Sequence, residues 1–135
     1  MTTEAVELFE KELTGTVIHG FRTVYSTLDY GFSETVYCNA LAIELRCLGL
    51  KVERERLVEV FYKGQPVGLY RTDMVVEDRL LIEVKASVAL VEADRRQVFN
   101  YLRATNLKLA LLLHFGPKPK VKRFISPKAL FNSQS

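Results

Sequence analysis

The sequence predicts a mixed α/β fold, with helices covering both faces of a sheet that contains antiparallel and parallel strands. The order of elements along the chain is helix, helix, three strands, helix, strand, strand. A helix between two strands is the connection that allows them to lie parallel. Residues 80–85 begin as a continuous apolar run and residues 108–114 are almost entirely apolar, which is typical of strands buried on both faces.

Three helices are predicted from apolar spacing and from their end signals. Apolar residues recur at helical intervals over residues 4–28, which predicts one long amphipathic helix. Ser33 is a suitable N-cap for a second helix that runs through Leu48, and Gly49 provides the left-handed residue that commonly follows a helix. A third helix is predicted over residues 91–104.

The strands are predicted from β-branched and aromatic residues bounded by turn residues. Residues 63–66 form the first predicted turn and residues 77–79 the second, so that the first three strands form a meander. The predicted strands are residues 51–62, 67–76, 80–85, 108–114 and 121–125.

Length and composition indicate one intracellular domain. The chain has 135 residues without a composition break, which predicts a single domain over residues 1–125 and a polar tail over residues 126–135. The N-terminus lacks the pattern of a signal peptide, and no apolar run is long enough to cross a membrane. Cys38 and Cys47 lie too far apart in one helix to form a disulfide, which suits a reducing compartment. We therefore expect a cytoplasmic location.

A spaced set of polar residues, Glu34, Asp73, Glu83 and Lys85, suits metal-assisted cleavage of a phosphodiester. Glu83 and Lys85 lie on one side of an otherwise apolar strand, where charged side chains are unusual and indicate a function. The chain has two histidines and no Cys-x-x-Cys, so any metal is expected to be a hard cation held by oxygens. Magnesium is the natural candidate.

Strand register decides whether the two hairpin carboxylates can meet. If the numbers of paired residues sum to 156, Asp73 lies opposite Glu83 and Arg71 opposite Lys85. A loop of three or five residues at 77–79 gives this register, whereas a two-residue turn would place the carboxylates on opposite faces. The absence of Asn-Gly or Asp-Gly there favours the longer loop.

Other polar and aromatic residues have two interpretations each. Glu34 lies at the end of the inward stripe of its helix, but an acid in the first turn also suits the helix dipole. Gln97 and Tyr101 share one helix face and either reach the same cleft or form a surface pair, the second being favoured on spacing alone. For the following aromatic residues, core packing is favoured over stacking on bases: Phe61, Tyr62, Tyr70, Phe99, Tyr101 and Phe115.

The segment Gly31-Phe32-Ser33-Glu34-Thr35-Val36-Tyr37 resembles the signature of the GxxExxY protein family, a branch of the PD-(D/E)XK nuclease superfamily. The resemblance extends in order and spacing over about residues 15 to 125. Its further members are Ala40, Leu41, Glu44, Leu45, Tyr62-Lys63-Gly64, Gly68, Arg71, Asp73, Glu83-Val84-Lys85-Ala86, Gln97, Asn100-Tyr101-Leu102 and Phe115-Gly116.

The resemblance implies a restriction-endonuclease-like core, αβββαβ, whose mixed sheet is flanked by helices. It implies Asp73 and Glu83 as metal ligands and Lys85 as the catalytic lysine. Glu34 would be an accessory acid, with Gln97 and Tyr101 in support. The Val84 carbonyl and Glu34 complete the expected ligands for Mg²⁺, for which Mn²⁺ is an expected substitute.

The function expected from this set is metal-dependent hydrolysis of nucleic acid, with DNA favoured over RNA as partner and a homodimer or a partner protein in support. The alternative is a non-catalytic nucleic-acid-binding or assembly module. In that interpretation, Glu83 with Lys85 and Asp73 with Arg71 form ion pairs on an exposed sheet face. The cluster of basic residues at 118–128 is interpreted as solvated surface rather than a phosphate-binding patch.

Overall fold

The second helix has the predicted position and end signals, whereas the first begins only at Lys11, so the prediction of one continuous helix over residues 4–28 is wrong at Glu10. The computed structural model describes residues 10–127, so residues 4–9 of the predicted first helix and residues 128–135 of the predicted tail lie outside the described residues. Helix α1 spans Lys11–Leu28 and helix α2 spans Glu34–Cys47. The Ser33 hydroxyl accepts a hydrogen bond from the Val36 amide at 3.4 Å, as an N-cap does. Gly49 follows α2 with a φ of 86°.

Five strands form a mixed central sheet, as predicted for a restriction-endonuclease-like fold. The strands within residues 10–127 are β1 (Val52–Arg54), β2 (Leu57–Tyr62), β3 (Gln65–Arg71), β4 (Met74–Val76), β5 (Leu80–Lys85), β6 (Leu109–Phe115) and β7 (Pro119–Ile125). The order in the central sheet is β1, β4, β5, β6, β7, and β5 pairs parallel with β6 through helix α3 (Glu92–Ala104). The other pairings in this sheet are antiparallel.

Alternation along β5 separates the core into two layers. Leu80, Ile82 and Val84 pack in the layer that contains α1 and α2. Leu81 packs in the other layer, against α3. Because successive strand residues point to opposite faces, Glu83 and Lys85 share the α3 side with Leu81. The prediction that these two charged residues lie on one side of the strand is confirmed.

The register of β4 and β5 is the predicted one. Met74 pairs with Ile82 and Val76 with Leu80, so the paired numbers sum to 156 and a three-residue loop joins the strands. Glu77 and Asp78 have φ values of 54° in that loop. The side chains of Asp73 and Glu83 are therefore directed to one face.

The predicted three-stranded meander is wrong in one respect. The predicted strands 51–62 and 67–76 are each divided in two, and β2 and β3 form a separate two-stranded sheet. Arg71 consequently pairs with Leu57 and not with Lys85.

The physical reason is a break in both strands at the same level. Glu55 takes a φ of 58°, and its amide donates to the Asp73 carbonyl at 3.0 Å. The Thr72 amide donates to the Arg56 carbonyl, also at 3.0 Å. The chain therefore leaves the central sheet after β1 and returns to it just before β4, and the intervening residues project as the β2–β3 hairpin.

The aromatic prediction is also only partly right. Phe115 is fully buried, with its ring stacked on Tyr37 at 4.2 Å, and Tyr101 is buried as well. Phe61, Tyr62 and Tyr70 lie on the hairpin and are more than half exposed, at 58%, 65% and 51%. Core packing is the wrong interpretation for these three, because the hairpin stands away from the central sheet.

Within residues 10–127, no helix has both the length and the apolarity needed to span a membrane.

Candidate metal-dependent active site

The carboxylates of Asp73 and Glu83 are held by backbone amides where β4 begins. The Asp73 amide donates a hydrogen bond to Glu83 Oε2 at 2.7 Å. The Val84 amide donates to Asp73 Oδ2 at 2.6 Å. These two bonds use one oxygen of each carboxylate and fix both side chains at the strand end, where the ladder between β4 and β5 gives way to side-chain contacts. Asp73 Oδ1 and Glu83 Oε1 are not used by these bonds.

The Val84 carbonyl lies on the same side of β5 as Asp73. In a strand, the N–H and the C=O of one residue point in the same direction, and the Val84 N–H points to Asp73. The carboxylates of Asp73 and Glu83 and one backbone carbonyl are thus grouped at this strand end.

Burial raises the free energy of ionising these two carboxyls. Glu83 is only 4% exposed, and burial, followed by repulsion from Asp73, raises the pKa of its carboxyl to about 8. Burial also raises the pKa of Asp73, while the hydrogen bond from Val84 and the charge of Lys85 oppose that rise. A bound cation would oppose both shifts, because its charge favours the ionised carboxylates.

Lys85 is held by side chains from α3. Its Nζ donates to Gln97 Oε1 at 2.9 Å and lies 3.8 Å from Asp94 Oδ1. Helix α3 crosses the face of the sheet that carries Glu83 and Lys85, so its first turns reach the lysine. The ammonium is therefore fixed beside the two carboxylates rather than free in solvent.

Gln97 and Tyr101 are directed into the site, so the interpretation as a helix-surface pair is wrong. Gln97 bonds to Lys85, and Tyr101 is only 6% exposed. Burial, followed by the charges of Glu83 and Asp73, raises the pKa of the Tyr101 hydroxyl, and a hydrogen bond with the Gln97 side chain opposes this. The field of both carboxylates therefore reaches Tyr101.

Glu34 belongs to the same electrostatic environment but is more open to solvent. Burial raises the pKa of its carboxyl, Lys85 lowers it, and Asp73 and Asp94 raise it further. Glu34 begins α2, after a loop tied down by Tyr37, whose hydroxyl donates to the Asp29 carbonyl at 2.5 Å. The first turn of α2 and the end of β5 therefore lie close enough for Glu34 and Lys85 to interact electrostatically.

Sequence reasoning missed two further polar residues of the cleft. Asp94 caps α3 through the Val91 amide, at 2.9 Å, and also faces Lys85. An acid in the first turn of the predicted helix was the available signal. Arg54 Nε donates to the Asp73 carbonyl at 3.2 Å, and its Nη1 donates to Asn39 Oδ1 at 2.7 Å. No pattern in the sequence indicated Arg54.

The donor set suits a small hard cation that keeps part of its water shell. Within the described part of the chain, no three residues among histidine, cysteine, aspartate and glutamate converge closely enough to hold a metal ion by themselves. Mg²⁺ does not need such a cage, because it is commonly held by one or two carboxylates together with waters and substrate phosphate. Asp73, Glu83 and the Val84 carbonyl fit that pattern.

The ion pairs of the non-catalytic interpretation are not seen within residues 10–127. Arg71 Nη1 pairs with Glu55 Oε2 at 3.3 Å, and the acid nearest to Lys85 Nζ is Asp94. Glu83 is buried rather than on an exposed sheet face. A surface ion-pair role therefore does not account for Asp73 and Glu83.

Comparison with known proteins agrees with this architecture. Residues 11–124 match the PD-(D/E)XK nuclease superfamily. Among solved structures, the crystal structure of SSO0001 superposes with a TM-score of 0.55 at 16% identity, over 74% of this chain and 55% of that one. This chain therefore spans little more than half the length of that protein, and the likeness concerns the fold. No curated protein matches the sequence.

Proposed function

Since the chain belongs to the PD-(D/E)XK nuclease superfamily, we propose that it is a divalent-metal-dependent nuclease of the GxxExxY branch. The observation that carries the proposal is a pair of carboxylates held by backbone hydrogen bonds, together with a lysine held by Gln97. The carboxylates are those of Asp73 and Glu83. The motif from Gly31 to Tyr37 supports the finer assignment to that branch.

Asp73, Glu83 and the Val84 carbonyl are the proposed ligands of Mg²⁺, with Mn²⁺ as a substitute. When bound, the cation would neutralise the charge of a phosphodiester and lower the barrier to attack on phosphorus. Burial raises the pKa of both carboxyls, so a cation bound between them would favour their charged forms.

Lys85 supplies a fixed positive charge. Its ammonium is oriented by Gln97 at 2.9 Å, and its charge lowers the pKa of both carboxyls. In our proposal it stabilises the negative charge that develops on the phosphate oxygens. Gln97 and Tyr101 are proposed as positioning residues, because Gln97 holds Lys85 and Tyr101 has a hydrogen bond with the Gln97 side chain.

Glu34 is proposed to hold a water molecule for the attack. Burial raises the pKa of its carboxyl, Lys85 lowers it and Asp73 raises it, and the net rise makes the carboxylate a better proton acceptor than an unperturbed glutamate. The residue is exposed, so water can reach it. It would therefore act as the accessory acid beside the metal site.

The direct test is cleavage of labelled DNA and RNA by the purified protein, in Mg²⁺ and in EDTA. The wild type should cut only in the divalent cation. Asp73→Asn should reduce the rate at least about a hundredfold, as removal of a preorganised charge-stabilising group typically does. Asp78→Asn is the matched control, because Asp78 is an exposed acid that pairs with Lys51 at 2.9 Å on the loop away from the cleft.

Equal cleavage by the wild type and Asp73→Asn would overturn the proposal, as would wild-type cleavage that EDTA leaves unchanged. DNA and RNA substrates in the same experiment decide between the two, and DNA is our expectation. Many nucleases that cut both strands of a duplex use two sites, so the mass of the active species, measured by sedimentation, tests the proposed homodimer or partner protein.

A further inference from the structure

A groove lies between the β2–β3 hairpin and helix α3, next to the candidate active site. Its volume is about 850 Å³, which is within the range of about 300–1,000 Å³ found for ligand pockets. Gln97, which bonds to Lys85, and Tyr101, whose pKa is raised in part by Glu83 and Asp73, both form part of its wall. The groove therefore borders the site through these two residues.

The hairpin wall of the groove carries exposed aromatic rings. Phe61 and Tyr70 line it while remaining 58% and 51% exposed. The register of the hairpin shifts between Val60 and Phe61, and both of these β2 residues line the groove. The Tyr70 ring leans on Tyr101 with 5.8 Å between centroids, which fixes its orientation. About half of the surface of Phe61 and of Tyr70 is therefore accessible to a ligand.

The helix wall carries cations and amides. Arg96, Asn100 and Arg103 recur at helical intervals on the face of α3 that lines the groove, and all three are exposed. Two turns of helix separate the arginines, which places their Cα atoms about 10 Å apart along the axis. Among the charged residues that line the groove, Glu59 is the single acid, so the lining is net positive.

We propose that this groove binds an unpaired stretch of nucleic acid and guides it to Lys85. Aromatic rings on one wall offer faces on which bases stack, and arginines on the opposite wall offer donors for phosphates. In a duplex the bases are stacked on each other and their faces cannot reach Phe61 and Tyr70. The inference rests on the proposed nuclease function, and it names single-stranded nucleic acid as the substrate of the site.

The test measures binding apart from cleavage. Fluorescence anisotropy in EDTA is recorded for labelled oligothymidylate and oligouridylate of about 12 nucleotides, a length within the usual site size, and for a duplex of the same length. We expect the single strands to bind more tightly than the duplex. Phe61→Ala and Tyr70→Ala should each weaken single-strand binding about 5- to 150-fold, the loss typical of one stacked base.

Tyr62→Ala is the matched control. Tyr62 is an equally exposed aromatic residue of the same hairpin, at 65%, but it does not line the groove. Its substitution should leave the affinity unchanged, and circular dichroism of all three variants should match the wild type. An equal loss in Tyr62→Ala, or duplex binding as tight as single-strand binding, would overturn the inference.

The outcomes separate this inference from the proposed function. If the protein binds single strands through the groove but does not cleave them, the groove inference stands and the proposed nuclease function is refuted. If Phe61→Ala and Tyr70→Ala leave magnesium-dependent cleavage unchanged, the proposed nuclease function stands and the groove inference is refuted. If the two variants instead alter only the sedimentation coefficient, the groove contacts protein and the inference is wrong.

Discussion

Replacement of Glu83 by glutamine should remove the pH dependence that this carboxyl imposes on stability. Burial and Asp73 raise the pKa of Glu83 from its usual 4.5 to about 8 in the folded protein. The folded state therefore holds the proton more tightly than the unfolded state. This contribution is fully present below the unfolded pKa and is lost as the pH rises through about 8.

The magnitude follows from the same shift. Each pKa unit corresponds to about 1.4 kcal/mol, so the rise from 4.5 to about 8 sets a ceiling of about 5 kcal/mol. We expect about 2–4 kcal/mol, because the half-buried Asp73 takes up part of the change in charge. Glutamine has nearly the shape of the protonated acid and cannot ionise. Between pH 5 and pH 9, Glu83→Gln should gain this amount of stability relative to the wild type.

The assay is urea unfolding of both proteins at about pH 5, 7 and 9 in EDTA, with the free energy of unfolding obtained by linear extrapolation. Glu59→Gln serves as the control, because Glu59 is an exposed glutamate and its replacement should leave the wild-type pH profile unchanged. If the wild-type and Glu83→Gln profiles run parallel, the burial argument for this site is refuted.

Three further substitutions probe the site and its support. Lys85→Met should reduce cleavage at least about a hundredfold while Mg²⁺ still raises the melting temperature, and loss of that metal response would show that the lysine is needed for the metal site itself. Tyr37→Phe removes the hydroxyl that donates to the Asp29 carbonyl at 2.5 Å, so the free energy of unfolding should fall by about 1–2 kcal/mol in urea titrations, and an unchanged value would refute this role. Phe115→Ala removes a fully buried ring that stacks on Tyr37, and the same titration should show a loss of about 3–5 kcal/mol; a loss below about 1 kcal/mol would contradict the packing described.

The central architecture could be predicted because the responsible residues carry strong local signals. Ser33 and Gly49 mark the ends of α2, and the apolar run from Leu80 marks a strand buried on both faces. The register that places Asp73 opposite Glu83 followed from the missing turn signal after β4, because the alternative two-residue turn lacked its preferred glycine.

The hairpin could not be predicted from the same signals. Glu55 adopts a positive φ without being glycine or asparagine, and no local preference of glutamate indicates a break there. The break is fixed by tertiary hydrogen bonds from Glu55 to Asp73 and from Thr72 to Arg56. Once the hairpin leaves the sheet, alternation of Phe61 and Tyr70 no longer reports burial, so the aromatic prediction failed at those positions.

The positions of Gln97 and Tyr101 relative to Lys85 could not be predicted from their spacing along the helix. Two residues four apart share a helix face whether that face is exposed or covered. The hydrogen bond between Gln97 and Lys85 settles which face it is, because the crossover between β5 and β6 lays α3 over the charged end of β5. Resemblance to a family indicated both residues where the physical pattern favoured a surface pair.

The most direct test is a crystal of the protein soaked in Mn²⁺, with anomalous scattering used to locate the ion. The account predicts one strong peak in contact with the carboxylates of Asp73 and Glu83 and with the Val84 carbonyl, close to the ammonium of Lys85. A protein that cleaves nucleic acid with Mn²⁺ but whose crystals show the ion bound elsewhere would contradict it.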